Sequence, residues 1–407
     1  MRHSPAEFNL LVFDIVYLLF LLVPAAVAIA YLLFFVSLRL LGVRERQTAA
    51  DRKTRFVILV PAHNEERTIQ ATLESIGRVD YPTANVQTIV VADNCTDNTT
   101  EIVRGFPVEC LERVDPENLG KGQALSWALE QIESLEYDAV IVIDADCPID
   151  SQLLNVFDGF FEAGVDALQA NHRVINTDAS PIAYAAAVGR ALEYDLFYAP
   201  KSAVGLPAML VGTGMAFRRS LLHKVPWTSH SCAEDTEYTL DLARNGVRVH
   251  FVSNGYVHCS GATSKQELEI QRSRWAAGNI AIGRMNSGRL ILEGLLRLQP
   301  RMADLGLTLL LCSRPLVMLQ AAITILLGIM MHVLSPTGTH HIFAVAAGCL
   351  ATAYAAWILL GVLWVGVNAK RLRFLAKTPL VVARLAWISA ASAFDGKHIG
   401  WKRTPRA

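Results

Sequence analysis

The sequence lacks an excess of charge of either sign. Its 37 lysine and arginine residues balance its 37 aspartate and glutamate residues, and no basic patch interleaved with aromatic residues is present. Proteins that bind nucleic acid usually carry such a patch. Nucleic acid is therefore not an expected partner.

Cysteine pairs and the common nucleotide-binding loops are also missing. The 7 cysteines are scattered and form no Cys-x-x-Cys pair, so neither a disulfide nor a zinc site is expected. The spacing Gly-x-x-x-x-Gly-Lys-Ser/Thr is absent, and no Gly-x-Gly-x-x-Gly follows a predicted strand. These absences exclude a P-loop and the usual dinucleotide-binding signature.

Long uncharged stretches are present near both ends of the chain. Hydrophobic residues make up 52% and charged residues 18% of the sequence, and the mean hydropathy is +0.32, which indicates both aqueous and membrane parts. Ile15 to Leu38 contains no charged residue. At ~1.5 Å per helical residue it can cross a ~30 Å hydrocarbon core. Pro315 to Leu334 and Ile342 to Asn368 are predicted as two further spans.

Basic residues decide the predicted orientation of these spans. They follow the first span from Arg39 and the third span from Lys370, and such residues favour the cytoplasmic side. The prediction is an integral protein of the bacterial inner membrane, with its N-terminus outside and its middle region and C-terminus in the cytoplasm. Leu305 to Cys312 and Thr378 to Phe394 are predicted as interfacial helices, because arginines interrupt their apolar pattern.

An acidic tip follows the most apolar short run of the middle region. Ala139 to Ile143 is a continuous apolar run, typical of a strand covered on both faces, and it leads directly into Asp144 and Asp146. Ligands of parallel α/β sheets bind at the carboxyl ends of strands. Two neighbouring carboxylates there favour a divalent cation that meets a phosphorylated ligand, although a solvated loop is the alternative.

Two earlier strand ends carry polar groups as well. A strand from Phe56 to Val60 precedes Pro61-Ala-His-Asn64 and a helix predicted from Glu65 to Gly77, and a strand from Val86 to Ala92 ends at Asp93. Helix capping is the alternative reading of the polar turn after Asp93. Gly120-Lys-Gly122 opens a helix predicted through Ile132, and a cation beside a helix N-terminus suits phosphate.

The second half contains two further glycine-rich or acidic segments. A strand is predicted from Ala167 to Val174 and a helix from Ile182 to Tyr198. Thr213 stands between two glycines inside the apolar stretch Leu210 to Phe217, which indicates close approach to a ligand, or alternatively a β-bulge. Glu234, Asp235 and Glu237 begin a helix that ends near Asn245, where the helix dipole alone could favour acidic residues.

A predicted helix from Lys265 presents Gln271, Arg274 and Trp275 on one face, at i, i+3 and i+4. An indole can stack on a sugar and a guanidinium can bind phosphate oxygens, whereas an amphipathic helix on the membrane is the alternative. Cys95, Cys147 and Cys259 are interpreted as small buried residues. His63 and His258 receive no role.

This order of motifs resembles that of the inverting family 2 glycosyltransferases, above all the membrane synthases of cellulose, hyaluronan, chitooligosaccharides and poly-N-acetylglucosamine and the bacterial exopolysaccharide transferases. The motifs that carry the resemblance are Pro61-Ala-His-Asn-Glu65, Asp93, Gly120-Lys-Gly122, Asp144-Ala-Asp146, Glu234-Asp235 and Gln271-x-x-Arg-Trp275. The resemblance covers Arg55 to Leu295. It implies a GT-A fold, which is a Rossmann-like, mixed but mainly parallel α/β sheet, a nucleotide-sugar donor, usually UDP-linked, and Mg²⁺ or Mn²⁺.

The resemblance also implies a role for each matching residue. Asp235 would be the catalytic base and Asp146 the metal ligand. The nucleotide-sugar would be bound by Pro61, Asn64, Glu65, Asp93, Lys121 and Asp144, with Asp93 at the nucleotide base. The acceptor and the diphosphate would be bound by Thr213, Gly214, Glu234, Gln271, Arg274 and Trp275.

The implied function is transfer of a sugar to a growing polysaccharide by a membrane-bound inverting enzyme that forms β-linkages. Residues 1–54 would hold the first span, residues 55–295 the cytoplasmic GT-A domain, and residues 296–407 the remaining membrane helices. Expected partners are a nucleotide-sugar donor, a glycan or lipid-linked acceptor, membrane lipid and other polysaccharide synthesis or export proteins. Three alternatives stand beside it: a single-sugar transferase with a lipid-linked acceptor, a non-catalytic nucleotide-binding subunit of an export complex, and a transporter.

Two features weigh against the non-enzymatic alternatives. A regulatory subunit would not need a base, yet the chain carries Asp235 together with Gln271, Arg274 and Trp275. A transporter would be expected to carry polar or broken spans, whereas the first and third spans are uncharged. Neither feature separates a processive synthase from a single-sugar transferase.

Overall fold

A seven-stranded sheet forms the centre of the computed structural model, which describes residues 5–45 and 50–394. The strands are β1 Phe56–Ala62, β2 Val86–Asp93, β3 Glu109–Arg113, β4 Ala139–Val142, β5 Ala167–Val174, β6 Met215–Arg218 and β7 Val249–Cys259. They lie in the order β3-β2-β1-β4-β6-β5-β7. Only β6 runs antiparallel to its neighbours, β4 and β5, so the predicted mixed, mainly parallel α/β sheet is confirmed.

Helices cover both faces of the sheet and continue into the apolar ends of the chain. They are α1 Pro5–Tyr17, α2 Val23–Leu40, α3 Ile69–Ile76, α4 Thr99–Arg104, α5 Lys121–Gln131, α6 Leu153–Glu162, α7 Pro181–Arg190, α8 Ala199–Ala203, α9 Arg219–Lys224, α10 Glu234–Arg244, α11 Lys265–Leu296, α12 Pro300–Leu310, α13 Arg314–Leu334, α14 Gly338–Val365, α15 Ala369–Leu375 and α16 Thr378–Phe394. Two π-helical segments, Leu18–Leu22 and Ala191–Tyr198, continue α1 and α7.

Alternate residues of each central strand belong to two different apolar cores. Val57 and Leu59 of β1 point into one core, and Phe56, Ile58 and Val60 point into the other. This alternation follows from the two-residue period of a strand. The core that contains Leu59 also contains side chains of α2, α13 and α14. One face of the sheet is therefore packed continuously with the membrane helices.

Three helical stretches are long and apolar enough to cross a membrane: Leu11–Leu40, Arg314–Leu334 and Gly338–Val365. They agree with the predicted number of spans. The third was placed wrongly, however, because its helix begins at Gly338 rather than Ile342 and ends at Val365 rather than Asn368. Thr337 caps it by accepting a hydrogen bond from His340 N–H at 3.2 Å, and Gly366 ends it with a φ of +86°.

A helix is present where Thr378 to Phe394 was predicted, as α16. It forms a pair with α15 that is bent by 48° and is apolar enough, taken together, for a broken span, so its interfacial position stays a prediction. The helix predicted from Leu305 to Cys312 is displaced, because α12 spans Pro300–Leu310. The order of the membrane elements agrees with the prediction, while the side of the membrane on which each lies stays a prediction.

Two predicted boundaries near the sheet were wrong for local backbone reasons. The helix predicted from Glu65 starts only at Ile69, because Asn64 has a φ of +55° and begins a turn. The stretch from Leu210 becomes a strand only at Met215, because Gly212 and Gly214 have φ values of +86° and +66° that no strand accommodates. The strands β3 and β7 and the helix α6 had not been predicted at all.

Candidate active site

A cavity of about 520 Å³ opens at the carboxyl end of β4 and extends between α7, α11 and the membrane helices. Eight of the residues singled out from the sequence line it: Lys121, Asp144, Asp146, Thr213, Glu234, Asp235, Gln271 and Trp275. These residues come from five separate segments of the chain. The fold therefore brings most of the predicted site to one place.

The acidic tip lies at one wall of this cavity. Asp144, Asp146 and Cys147 each place a potential ligand atom within 4.8 Å of the others. Carboxylate oxygens are ligands that Mg²⁺ and Mn²⁺ accept, whereas a thiol suits softer metals. The Cys147 thiol lies 2.8 Å from Cys259 Sγ at the buried floor of the tip. The donor set thus fits a divalent cation held by the carboxylates, with Asp146 as the predicted ligand.

Each residue of Gly120-Lys-Gly122 meets a separate geometric demand. Gly120 has a φ of +123°, a conformation that favours glycine. A side chain on Gly122 would put its Cβ 2.4 Å from the carbonyl oxygen of Ser229, so this position must also be glycine. Between them, Lys121 Nζ donates hydrogen bonds to the Asp144 carboxylate and to the Gly212 carbonyl. The lysine thereby joins α5, the acidic tip and the bend formed by Gly212, Thr213 and Gly214, which we call the Gly212 bend.

The charge of Lys121 is maintained by its neighbours. Burial acts to lower its pKa, but the negative charges of Asp144, Glu234 and Asp235 outweigh burial and hold the pKa above its ordinary value. The lysine is therefore a fixed cation of the cavity. A fixed cation at the N-terminus of α5 suits the diphosphate of a nucleotide.

Hydrogen bonds from neighbouring polar groups hold the Gly212 bend in place. Thr213 accepts a hydrogen bond from Asp144 N–H at 2.9 Å through its hydroxyl, and its carbonyl lies 2.8 Å from both Gln169 Nε2 and His172 Nε2. Gly214 does not line the cavity. A Cβ there would lie 2.7 Å from Ala170 Cβ, so Gly214 permits the bend, and its contact with an acceptor or diphosphate stays a prediction.

His172 is a neutral residue in this network. Burial, followed by the charge of Arg190, lowers its pKa to about 3. Arg190 Nη1 lies 2.9 Å from His172 Nδ1, and a guanidinium can only donate. His172 therefore accepts at Nδ1, carries its proton on Nε2, and donates to Thr213.

Asp235 lies in the first turn of α10 and faces the same bend. Its Oδ2 is 3.5 Å from the position that a Cβ on Gly212 would occupy, and its Oδ1 accepts from Thr236 N–H at 2.7 Å. Burial and the charge of Glu234 raise its pKa to about 7, against the opposing effect of Lys121. A carboxylate that titrates near neutrality in a cavity is suited to accept a proton.

Helix α11 sets the position of α10 by direct contact. A Cβ on Gly278 would lie 2.7 Å from Ala233 Cβ, and Thr236 donates to Asn279 Oδ1 at 2.8 Å. The same helix presents Gln271 and Trp275 to the cavity. Arg274 lies in this helix, but its side chain is outside the described part of the structure.

Pro61, Asn64, Glu65 and Asp93 lie together at the ends of β1 and β2, outside the lining of the cavity. Asn64 Oδ1 accepts from Thr96 N–H at 2.7 Å. Glu65 N–H donates to Thr99 Oγ1 at 2.7 Å. These two residues order the turn after β2, while their contacts with a nucleotide-sugar stay a prediction. Pro61 is part of β1.

Asp93 is buried and paired. Arg113 Nη1 donates to Asp93 Oδ1 at 2.7 Å, and Asn94 donates to the same oxygen at 2.9 Å. Burial raises the pKa of Asp93 although Arg113 opposes the rise. The contact of Asp93 with a nucleotide base stays a prediction. Arg113 was missed because it lies on the unpredicted edge strand β3, and nothing in its local sequence marks it.

Arg190 and Arg272 also line the cavity and were not predicted. Arg272 lies inside the stretch Gln271 to Trp275. It was not predicted because the helical spacing i, i+3 and i+4 selected Arg274 instead. Arg190 lies in an alanine-rich helix without a motif. Only the tertiary structure, in which α7 and α11 both pack against α16, reveals that the two arginines face one cavity.

Comparison with known proteins identifies the family. A family model described as "Glycosyltransferase like family 2" matches residues 54–278. The probable glycosyltransferase YdaM of Bacillus subtilis is 29% identical over 250 residues, which are 54% of this chain and 54% of that protein. The beta-monoglucosyldiacylglycerol synthase of Synechocystis is 28% identical over 229 residues, 54% of this chain and 47% of that protein.

A polymer-forming relative matches the same part. The poly-beta-1,6-N-acetyl-D-glucosamine synthase of Staphylococcus epidermidis is 27% identical over 230 residues, 54% of this chain and 53% of that protein. The chain thus spans about half the length of the curated relatives it matches. The relatives include enzymes named for a glycolipid and for a polysaccharide product.

One solved structure covers nearly the whole chain. It is the mannosyltransferase PcManGT from Pyrobaculum calidifontis in complex with GDP-Man and Mn²⁺, with a TM-score of 0.58 over 92% of this chain and 99% of that chain, at 20% identity. At this identity the likeness concerns the fold, which is the predicted GT-A fold. The sheet, the acidic tip and the helix of Asp235 all fall inside the family match, and the chain belongs to the glycosyltransferase-like family 2.

Proposed function

We propose that this protein is a membrane-bound inverting glycosyltransferase, which moves a sugar from a UDP-linked donor to an acceptor hydroxyl and forms a β-linkage during the synthesis of a cell-surface glycan. The observation that carries the proposal is Asp235, whose raised pKa and position bring a proton acceptor into the cavity that also holds Asp144 and Asp146. A proton acceptor and the carboxylates that would hold a cation at the leaving diphosphate thus line the same cavity.

The reaction requires one displacement at the anomeric carbon. The acceptor oxygen forms a bond to C1 while the bond from C1 to the diphosphate oxygen breaks, and the bonding electrons leave with the nucleoside diphosphate. The proton of the acceptor hydroxyl passes to Asp235. Because the acceptor attacks from the side opposite the leaving group, the configuration at C1 inverts. Such proton transfer is typically worth about 10²–10⁴-fold in rate.

The remaining residues stabilise charge and orient the substrates. Asp146, with Asp144 beside it, would hold a Mg²⁺ or Mn²⁺ ion, which when bound supplies electrostatic stabilisation of the leaving diphosphate. Lys121 contributes a fixed positive charge on the same side. Gln271 and Trp275 of α11 are placed to contact the acceptor or the diphosphate.

The acceptor has two candidate classes. A growing polysaccharide agrees with the product named for the Staphylococcus epidermidis relative. A lipid-linked acceptor is favoured by the cavity itself, because its wall continues from Asp235 to aliphatic side chains of α13, α14 and α16. The proposed location is the inner membrane, with the catalytic domain in the cytoplasm, where nucleotide-sugars are made.

Product sizing with purified full-length protein tests the proposal. UDP-sugars are supplied one at a time with Mg²⁺ or Mn²⁺, with and without EDTA, together with a membrane lipid extract. We expect release of UDP from at least one donor, and EDTA should abolish it. A ladder of products indicates processive synthesis, and one product indicates a single transfer. Failure of every donor to bind or react would contradict the proposed function.

A further inference from the structure

The cavity changes character along its length. Its catalytic end is lined by Lys121, Asp144, Asp146 and Asp235, whereas its far end is lined by aliphatic residues of the π-helical segment and of α13, α14 and α16. Those aliphatic residues are Leu192, Met318, Ile358, Val362, Val381 and Leu385. A wall of this kind favours hydrocarbon, because burial of apolar surface is favourable and unpaired sugar hydroxyls would be costly there.

Two guanidinium groups stand between these ends. Arg190 is fixed by its hydrogen bonds to His172 Nδ1 and to the Tyr194 hydroxyl, both at 2.9 Å. The Arg272 guanidinium lies 5.5 Å from the centre of the Trp275 ring, and its buried Nε has no hydrogen-bond partner among the described residues. No ion pair joins either arginine to a carboxylate in the part of the chain that the structure describes.

The two positive charges act on each other. Burial, followed by the charge of Arg190, lowers the pKa of Arg272. Glu193 is close enough to counteract this in part, and Arg314 at the start of α13 adds a third guanidinium to the same cavity. Both arginines are half-buried, and like charges held close together away from bulk water are costly unless an anion offsets them. Arginine donors match the oxygens of a phosphate group.

The change from charge to hydrocarbon is abrupt. Leu192 lies two residues after Arg190, and a Cβ on Gly361 of α14 would lie 2.6 Å from Leu192 Cγ. Trp364 of the same span donates to Asp195 Oδ2 at 3.0 Å. The segment that carries Arg190 is therefore packed directly against a membrane helix, so an anionic group and an acyl or prenyl chain can be bound side by side.

We propose that Arg190 and Arg272 bind the phosphate group of a lipid acceptor whose hydrocarbon chain occupies the apolar end of the cavity. This rests on the glycosyltransferase function proposed above and names its acceptor class. The reacting group is a hydroxyl beyond the phosphate, because a phosphate oxygen is already largely ionised at neutral pH and would not need Asp235 as a proton acceptor. The phosphate is thus a handle that holds the acceptor, and it is not itself glycosylated.

Binding measurements with farnesyl phosphate test the inference on purified full-length protein in neutral detergent. Farnesol and inorganic phosphate are the matched probes that carry only one half of the ligand. We expect farnesyl phosphate to bind at least about tenfold more tightly than either half, since both contacts contribute. Equal binding of farnesol, or of inorganic phosphate, would overturn the inference, and so would displacement of farnesyl phosphate by UDP.

Variants locate the site. Arg272→Gln should weaken farnesyl phosphate binding by roughly ten- to a hundredfold, as loss of a charge-assisted hydrogen bond implies. Arg289→Gln on the exposed face of the same helix is the matched control and should bind as the parent protein does. Equal binding by Arg272→Gln and Arg289→Gln would overturn the placement.

UDP binding on the same samples separates the two proposals. If UDP binds but farnesyl phosphate shows no preference over its halves, only the acceptor inference fails. If UDP and all UDP-sugars fail to bind, the proposed function fails whatever the lipid result.

Discussion

Asp235 titrates near neutrality because of where its side chain lies. Its residue type gives a pKa near 3.8, and burial together with the charge of Glu234 raises this to about 7. The acidic first turn of α10 could have been explained by the helix dipole alone, which typically contributes only about 0.3–1 kcal/mol. The cavity position, 3.5 Å from the Gly212 bend, supports a chemical role beside the structural one.

Replacement of the base tests that role directly. Asp235→Asn should fold, insert and bind UDP, yet lose at least about a hundredfold in transfer rate, as loss of a general base requires. Glu237→Gln in the same helical turn is the matched control, since it removes an equivalent helix-dipole contact. Transfer rates that fall equally in both variants, or in neither, would assign Asp235 to helix capping.

The raised pKa of Asp235 also predicts the pH dependence of the reaction. The base accepts a proton only when ionised, so kcat/KM should fall as the pH drops below about 7, the value to which burial and Glu234 raise the pKa. Glu234→Gln removes the neighbouring negative charge, lowers the pKa of Asp235, and should move the acid limb of the profile to lower pH. An acid limb that Glu234→Gln leaves unmoved would show that another group titrates.

Helix α11 connects Asp235, the proposed base, to the proposed substrate-binding residues. It contacts Ala233 through Gly278, receives a hydrogen bond from Thr236 at Asn279, and presents Gln271 and Trp275 to the cavity. Gly278 permits this contact because any side chain would occupy the space of Ala233. The position of Asp235, the proposed base, relative to Gln271 and Trp275 is therefore set by helix packing rather than by the local sequence of α10.

Gly278→Ala tests this packing. The added methyl group would lie 2.7 Å from Ala233 Cβ, so α10 and α11 must move apart. Overpacking of this kind costs about 1–3 kcal/mol in stability, and displacement of a catalytic group by about 1 Å can cost up to ~10²-fold in rate. We expect kcat to fall at least roughly tenfold while UDP affinity is kept.

Gly288→Ala is the control for this substitution, because a Cβ at Gly288 on the same helix meets nothing within 4 Å. It should retain the parent kcat and melting temperature. If Gly278→Ala behaves in the same way, the contact with Ala233 does not position the base.

The catalytic domain and the membrane helices form one packed body among the described residues. Tyr184 donates to the carbonyl of Gly366 at 3.3 Å, and Trp364 donates to Asp195. The apolar core below β1 continues into α2, α13 and α14. Asp235 and the apolar side chains of α13, α14 and α16 therefore line the same cavity of one packed body.

Reporter fusions test the proposed orientation of this body. A fusion at Lys370 should report the cytoplasm, because basic residues follow the third span there. A fusion at Gly338, between the second and third spans, should report the opposite side. A cytoplasmic signal at Gly338 would show that the number or orientation of the spans is wrong.

The local sequence was enough to predict the structure of those segments whose fold depends on their own residues. The apolar run before Asp144 predicts a buried strand with an acidic end, and the uncharged stretch from Ile15 predicts a span, because each depends on the composition and period of a single segment. Element ends were less certain. Asn64 and Gly212 adopt positive φ values that the apolar pattern does not record.

Other features required the tertiary structure, because they arise from residues far apart in the chain. Asp93 meets Arg113 across two strands, and Lys121 meets Asp144 and Gly212 only once α5 is packed against the sheet. By itself the sequence determined the family motifs, the sheet type and the number of spans, since these are properties of local pattern. Only the fold decided the pKa of Asp235 and the placement of Arg190 and Arg272 in one cavity, since desolvation and charge interactions depend on distance in space and not along the chain.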